Sequence, residues 1–288
     1  MSDLAQRMAA DNALGRRFQQ LICADEDDIP LSEAALLIGS HRYPDLDVQH
    51  YLDRLDAMAD GLRPKVGDDF SASQRILALN RYLFQELGFG PNADDYYDPR
   101  NSLLNEVLDR RIGIPITLSI LYMDIGVRIG LPLQGVCFPG HFLVKCTLPQ
   151  GTVVLDPYGN GASLGLGDLQ RRLREARGGE VSRAIIAGLL VGASKKEILL
   201  RVLRNLKAIY LRGRRLDHAL AVMDWIVSAA PDQAPEVRDR GEVYQELDCF
   251  RAAISDFEHY LELSPRCEDA EEIRQRLIEL KRSASRLN

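Results

Sequence analysis

The chain has 288 residues, of which 46% are hydrophobic and 27% charged, the balance of a globular protein and not of a fibre or a disordered tail. Its net charge is -6, from 36 basic and 42 acidic side chains, so general binding to nucleic acid is not expected. No apolar run reaches the roughly 18 residues needed to cross a bilayer, and the opening MSDLAQRMAADNALGRRF lacks the apolar stretch of a signal peptide.

The first third reads as helical. Asp25–Asp28 precede Pro30, and Leu31, Ala34, Ala35 and Ile38 then recur at helical spacing. Acids ahead of a first turn suit the positive end of a helix dipole, and proline is tolerated there. A second helix is predicted over 47–62, with Val48, Leu52 and Leu55 on one face. A third starts at the capping pair Ser71 and Gln74, carries Ile76, Leu79, Leu83 and Leu87 as its stripe, and stops at Gly88. Residues 89–100 are predicted to be a loop. A short helix follows, with Leu104, Val107 and Leu108 inward and Gly113 as its breaker. Pro115 then opens a helix to Ile129 that is apolar on most sides and so predicted to be buried.

After Gly130 the period changes. Residues 131–138, 141–147 and 152–155 read as strands, and 156–161 as a turn-rich loop. One buried helix followed by an antiparallel sheet predicts an α+β fold. Helices resume from about Leu166, and Ser194 is placed to cap a long one.

The last third repeats itself at an offset of 34: Tyr210 matches Tyr244, Ala219 matches Ala253, Leu220 matches Ile254, Met223 matches Phe257 and Pro231 matches Pro265. Small alanines let paired helices approach and the prolines end them, a pattern resembling tetratricopeptide repeats. Two copies, 198–231 and 232–265, are predicted, with a capping helix over 268–283. Two repeats are fewer than a solenoid usually needs, so this part is expected to dock on the rest of the chain.

The stretch NSLLNEVLDRRIGIPITLSILYMDIGVRIGLPLQGVCFPGHFLVK, followed by VVLDPYGNG, resembles the SirB1 family of bacterial proteins. Its most specific pieces are the R-x-G-I-P-I run at 111–116, the F-P-G-H-F run at 138–142 and the Asp-Pro pair at 156–157. The resemblance covers about residues 30–270 and implies a papain/transglutaminase-like core followed by repeats. With the elements above, the expected division is an N-terminal helical segment over 1–90 packed on the core, the core over 91–190 and an all-α repeat region over 195–288. Active enzymes of that kind use a cysteine at a helix N-terminus, a histidine on a strand and an aspartate on the next. The helix dipole and the imidazolium lower the thiol pKa, the histidine moves protons, and the aspartate holds its tautomer. His141 and Asp156 match the second and third members. The nucleophile would fall 15 residues before the glycine ending the buried helix, and counting back from Gly130 gives Pro115. Proline has neither a nucleophile nor a backbone N–H.

Substitutes for the missing thiol are weaker. Thr117 and Ser119 are expected to bond back to their own helix. Cys137, four residues before His141, is a low-ranking nucleophile that a Pro139–Gly140 turn could bring near. Cys146, expected at a strand end, ranks below it, and the lone Cys23, Cys249 and Cys267 read as fillers. The five cysteines are odd in number and widely spaced, which with no export signal predicts reduced thiols in a cytoplasm. No two Cys or His stand at metal-ligand spacing, so neither a metal nor a cofactor is expected.

His141 and Asp156 form either a structural pair or a proton-transfer pair at a cleft. Asn101, Asn105, Glu106, Arg111 and Tyr158 are the candidate binding residues around them. Asn101 and Asn105 should point the same way on a helix, Asn101 is expected to cap, and Arg111 to hold Asp94, Asp95 or Asp98. Three functional readings follow: a non-catalytic protein- or peptide-binding module acting through repeats or cleft, a hydrolase or amide-transfer enzyme using Cys137 or water activated by His141 and Asp156, and a subunit of a larger complex.

Overall fold

A computed structural model describes residues 13–286. The chain forms two compact units. One comprises Ala24–Gly39 and Asp45–Val202; the other comprises the described residues up to Cys23, Ser40–Pro44 and the chain from Leu203. In chain order the helices of the first part are α1 (Ala13–Ile22), α2 (Leu31–Leu37), α3 (Val48–Leu62) and α4 (Ala72–Asn80). Local chemistry sets their ends. Asp47 accepts from the backbone of His50 at 3.0 Å, and Ser71 and Gln74 bond reciprocally, satisfying amides that a helix start leaves unpaired. A π-turn, Arg81–Glu86, extends α4.

The larger unit then builds around α5 (Leu104–Arg110) and α6 (Pro115–Arg128). The stop after α5 is Arg111 in the left-handed conformation at φ 60°, not Gly113 as the sequence suggested. Gly113 instead belongs to β2 (Ile112–Gly113), which pairs in parallel with β1 (Gly90–Pro91). Helix α6 is buried along most of its length, as its all-round apolar sequence predicts. Gly126 lets it approach the sheet: a side chain there would stand 2.3 Å from Leu133 Cδ1.

The sheet has the order β3 (Leu133–Val136), β4 (Leu143–Leu148), β5 (Gly151–Asp156), β6 (Ala162–Leu164), all antiparallel. Strand β3 is shorter than the predicted 131–138, and β4 begins two residues after His141. Strand β6 was not expected, because its three residues carry too little alternation to stand out. Helices α7 (Leu166–Arg177) and α8 (Arg183–Leu189) follow. Leu169 and Leu173 of α7 and Ile186 of α8 pack against Val136, Phe138, Leu143 and Val154.

Helix α9 (Lys195–Arg212) is capped by Ser194 and Glu197, which bond each other's backbone amides at 2.7 and 3.0 Å. The division between the units falls within this helix. Helices α10 (Leu216–Ala229), α11 (Ala234–Glu246), α12 (Phe250–Leu263) and α13 (Ala270–Arg286) complete the chain. The repeat is visible in the backbone. Arg214 and Asp248, 34 apart, both have positive φ, at 52° and 57°. Ala230 and Ser264, also 34 apart, share φ/ψ of -139°/68° and -138°/68°. Ala219 and Ala253 are both fully buried, as the closely packed helix pairs require. No helix among the described residues is long and apolar enough to cross a membrane.

Candidate functional site

The site begins with a turn. Pro139 and Gly140 occupy its centre, Gly140 has φ 69°, and the His141 amide donates to the Phe138 carbonyl at 3.1 Å. Proline followed by a residue at positive φ is the requirement of a type II turn. Phe138 and Phe142, at 0% and 2% exposure, anchor it on both sides. His141 therefore stands in a turn ahead of β4, not on a strand.

Asp156 ends β5 and is 2% exposed. Its Oδ1 lies 2.8 Å from His141 Nε2, and Arg172 Nη2 of α7 donates to its Oδ2 at 2.7 Å. Burial pushes this carboxyl up. The His141 hydrogen bond and charge, the Arg172 charge and the Gly159 amide outweigh burial and hold it below the usual carboxylate range. With Nε2 bonded to a carboxylate, neutral His141 carries its hydrogen there and its lone pair on Nδ1. Among the described residues Nδ1 has no hydrogen-bond partner. The chemistry available is proton acceptance at Nδ1, with Asp156 fixing the ring and sharing its charge with Arg172.

Tyr158 lies in the turn after Asp156, its ring 5.9 Å from that of His141 and nearly perpendicular. Tyr96 from the 89–100 loop meets Tyr158 edge-to-face at 6.5 Å. Burial raises both phenols, with Asp156 adding to the effect on Tyr158 and Tyr158 to that on Tyr96. Tyr96 and Tyr97 are 40% and 55% exposed, so an aromatic group flanks the pair.

Asn101 does not cap a helix. It is fully buried, donates to the Asp95 and Tyr96 carbonyls at 2.8 and 3.3 Å, and accepts from Asn92 and Arg110. It ties down the loop that carries Tyr96. Asp98 is held by Arg100 and Arg110 at 2.7 and 3.4 Å. Arg111, at positive φ and exposed, does not take the role expected of it. Asn105 is buried in α5 with its Oδ1 unpartnered among the described residues, and Glu106 is half-buried. Asn101 lies in a 3-10 turn (Pro99–Ser102), so the two asparagines do not share a helix face. Among the described residues, none of Asn101, Asn105, Glu106 and Arg111 hydrogen-bonds to His141 or Asp156.

Helix α6 starts at Pro115, which is buried, and packs against the Pro157–Gly159 turn after Asp156. Its hydroxyls are occupied: Thr117 donates to Asn101 O at 2.7 Å and Ser119 to Pro115 O at 2.6 Å. Cys137 is exposed, just past β3. Cys146 lies inside β4, not at its end, and burial raises its thiol. Among the described residues no His, Cys, Asp and Glu group could hold a metal.

Residues 49–204 match the transglutaminase-like superfamily and residues 206–278 the tetratricopeptide repeat. A UPF0162 protein of Xylella fastidiosa is 40% identical over 91% of this chain and 94% of its own, and the UPF0162 protein PA3419 of Pseudomonas aeruginosa 34% over 92% and 96%. Protein SirB1 of Salmonella typhimurium is 25% identical over 86% and 91%. The chain belongs to the SirB1 family of the transglutaminase-like superfamily. No solved structure matches it significantly.

Reasoning on the sequence of this SirB1-family chain located His141, Asp156 and Tyr158 but missed Arg172 and Tyr96. Arg172 is one of several arginines in α7. The signal that could have found it is its place beside Leu173 on the helix face that Leu169 and Leu173 turn toward the sheet. Tyr96 sat in a stretch whose aromatic pair, Tyr96–Tyr97, is unusual for a solvated loop.

Proposed function

We propose that the chain is a non-catalytic transglutaminase-like and tetratricopeptide-repeat protein that binds another protein or a peptide, through its repeats or through the surface around His141. The observation carrying this reading is Pro115 at the first position of α6. By resemblance that position would hold the nucleophile, and a pair without one cannot run acyl transfer. The occupied hydroxyls of Thr117 and Ser119 and the burial of Cys146 support it. Repeat helices, and an exposed aromatic group beside an imidazole, suit side chains of a bound segment.

A second reading is favoured by one observation, the open Nδ1 of His141. It is a hydrolase or amide-transfer enzyme using Cys137 or water activated by His141 and Asp156. Incubating the full chain with a blocked glutamine peptide and a primary amine separates the two. The binding reading expects no ammonia release above that of His141→Ala. Release that is lost in His141→Ala would establish the enzyme instead, with loss in Cys137→Ala as well pointing to the thiol and survival there to water.

A further inference from the structure

The repeat-bearing unit holds a cluster of hydrogen-bond donors for which the family assignment provides no role. It is built from Ser40–Pro44 and from the α9–α10 turn, within one compact unit. His41 Nε2 lies 2.6 Å from the Tyr210 hydroxyl, and the His41 ring lies 6.4 Å from that of His218 and 6.0 Å from that of Trp225. The Arg42 guanidinium lies 5.8 Å from the centre of the Tyr43 ring, the Arg215 guanidinium 5.0 Å from that of Tyr210, and the Tyr210 ring 5.2 Å from that of His218.

Two features mark the cluster as a place for an anion. The first is charge. Among the described residues neither Arg42 nor Arg215 makes an ion pair, whereas the adjacent Arg214 pairs with Glu246. His218 faces both free guanidiniums, with Asp217 on the other side of the balance. Burial first, then Arg42 and Arg215, hold its imidazole below its ordinary value. The second is a surplus of donors. The Trp225 indole N–H is buried without a partner among the described residues. Arg215 stands at the N-cap of α10, where no side chain accepts from the first amides. An acceptor is favoured at that position, and positive charge is not. Helix pairing does not demand this arginine, because the second repeat, 34 residues on, has Asp248 and Cys249 where the first has Arg214 and Arg215.

We infer that this cluster binds a phosphate dianion, free or as a monoester, with Arg42 and Arg215 as its guanidinium forks and His218 as a third, protonatable donor. Guanidinium forks match phosphate oxygens. A dianion balances two guanidiniums, and a carboxylate would leave one charge uncompensated. The bound anion favours imidazolium at His218, so binding takes up a proton.

Isothermal titration calorimetry on the full chain tests this with inorganic phosphate, O-phosphoserine, sulfate and acetate. Saturable binding of phosphate and sulfate is expected, with acetate at least about tenfold weaker, the scale of one lost charge-assisted contact. Binding of phosphoserine as tight as that of phosphate assigns the site to monoesters; phosphate alone assigns it to the free ion. Arg42→Gln and Arg215→Gln should each weaken binding about tenfold or more, and Arg214→Gln should leave it unchanged. Sulfate stays doubly charged, so its affinity should rise as pH falls through the His218 titration, and His218→Asn should flatten that profile. Thermal melting checks folding, and Arg42→Lys and Arg215→Lys, which keep charge but lose the fork, replace any glutamine variant that fails to fold. No saturation by phosphate or sulfate, acetate binding as tightly, an equal loss in Arg214→Gln, or an unchanged pH profile in His218→Asn would each overturn the proposal.

Discussion

Arg172 and Asp156 form a contact that reorganises the imidazole–carboxylate pair: the guanidinium donates to Oδ2 at 2.7 Å while Oδ1 serves His141. The carboxylate's charge is thus divided between two cations or donors instead of being given to the ring alone. Removing the guanidinium leaves a carboxylate at 2% exposure with one side unsatisfied. Arg172→Met should cost about 2 kcal/mol at pH 7, read by urea unfolding. A cost below a few tenths would show that the contact is not formed in solution.

Asp156 also predicts a pH dependence. Its folded carboxyl is held below the usual range, so its stabilisation is present above the unfolded value, near pH 4, and is lost as pH falls through the lower folded value. The stability gap between the wild type and Asp156→Asn should be open at pH 7 and close below about pH 4. Urea midpoints at pH 7, 5 and 3 measure it, and a gap that widened in acid would reverse the assigned sign.

Beside the 89–100 loop, Asn101 hydrogen-bonds the Asp95 and Tyr96 carbonyls and the Asn92 and Arg110 side chains. Asn101→Ala should cost about 2 kcal/mol or more, because it orphans buried partners. It should also speed amide hydrogen exchange across residues 92–98. Unchanged exchange in that loop would mean that another contact holds it.

The repeats bury a guanidinium between two carboxylates: Arg240 binds Asp256 with two nitrogens at 2.8 and 2.7 Å and reaches Asp224 at 3.0 Å. Burial raises the Asp224 carboxyl despite Arg240 and the Tyr244 hydroxyl. A raised carboxyl contributes stability below its unfolded value and loses it as pH rises through the folded one. Asp224→Asn should therefore be within about 1 kcal/mol of the wild type at pH 7, and Arg240→Met should cost roughly 3 kcal/mol or more. Chemical unfolding of the two variants at pH 7 ranks them, and the reverse order would refute the assignment.

Short-range signals in the sequence carried well into three dimensions. Ser71 and Gln74 bond as their spacing predicts and Ser194 caps its helix as expected, since a cap is chemistry within four residues. The 34-residue echo survives down to the positive φ of Arg214 and Asp248. What was illegible depends on partners distant in sequence or on one backbone angle. Nothing near Arg172 names Asp156, 16 residues earlier, as its acceptor. Arg111 was expected to hold an aspartate of the loop, but its left-handed backbone closes α5 and Arg110 takes Asp98 instead. The strand expected over 141–147 starts two residues later, because the Pro139–Gly140 turn closes at His141.

The measurement that bears most directly on the binding reading is alkylation of Pro115→Cys by iodoacetamide at pH 6, mapped residue by residue with mass spectrometry. If a proline fills the nucleophile's seat, the introduced thiol should react at least about tenfold faster than Cys137 in the same chain, because a helix start and an imidazolium lower a thiol pKa. Adding His141→Ala should remove the difference, while Cys146, buried and raised, stays silent in the folded protein. An introduced thiol that reacts like an ordinary one, or a wild-type Cys137 that already reacts at pH 6 in a His141-dependent manner, would contradict it.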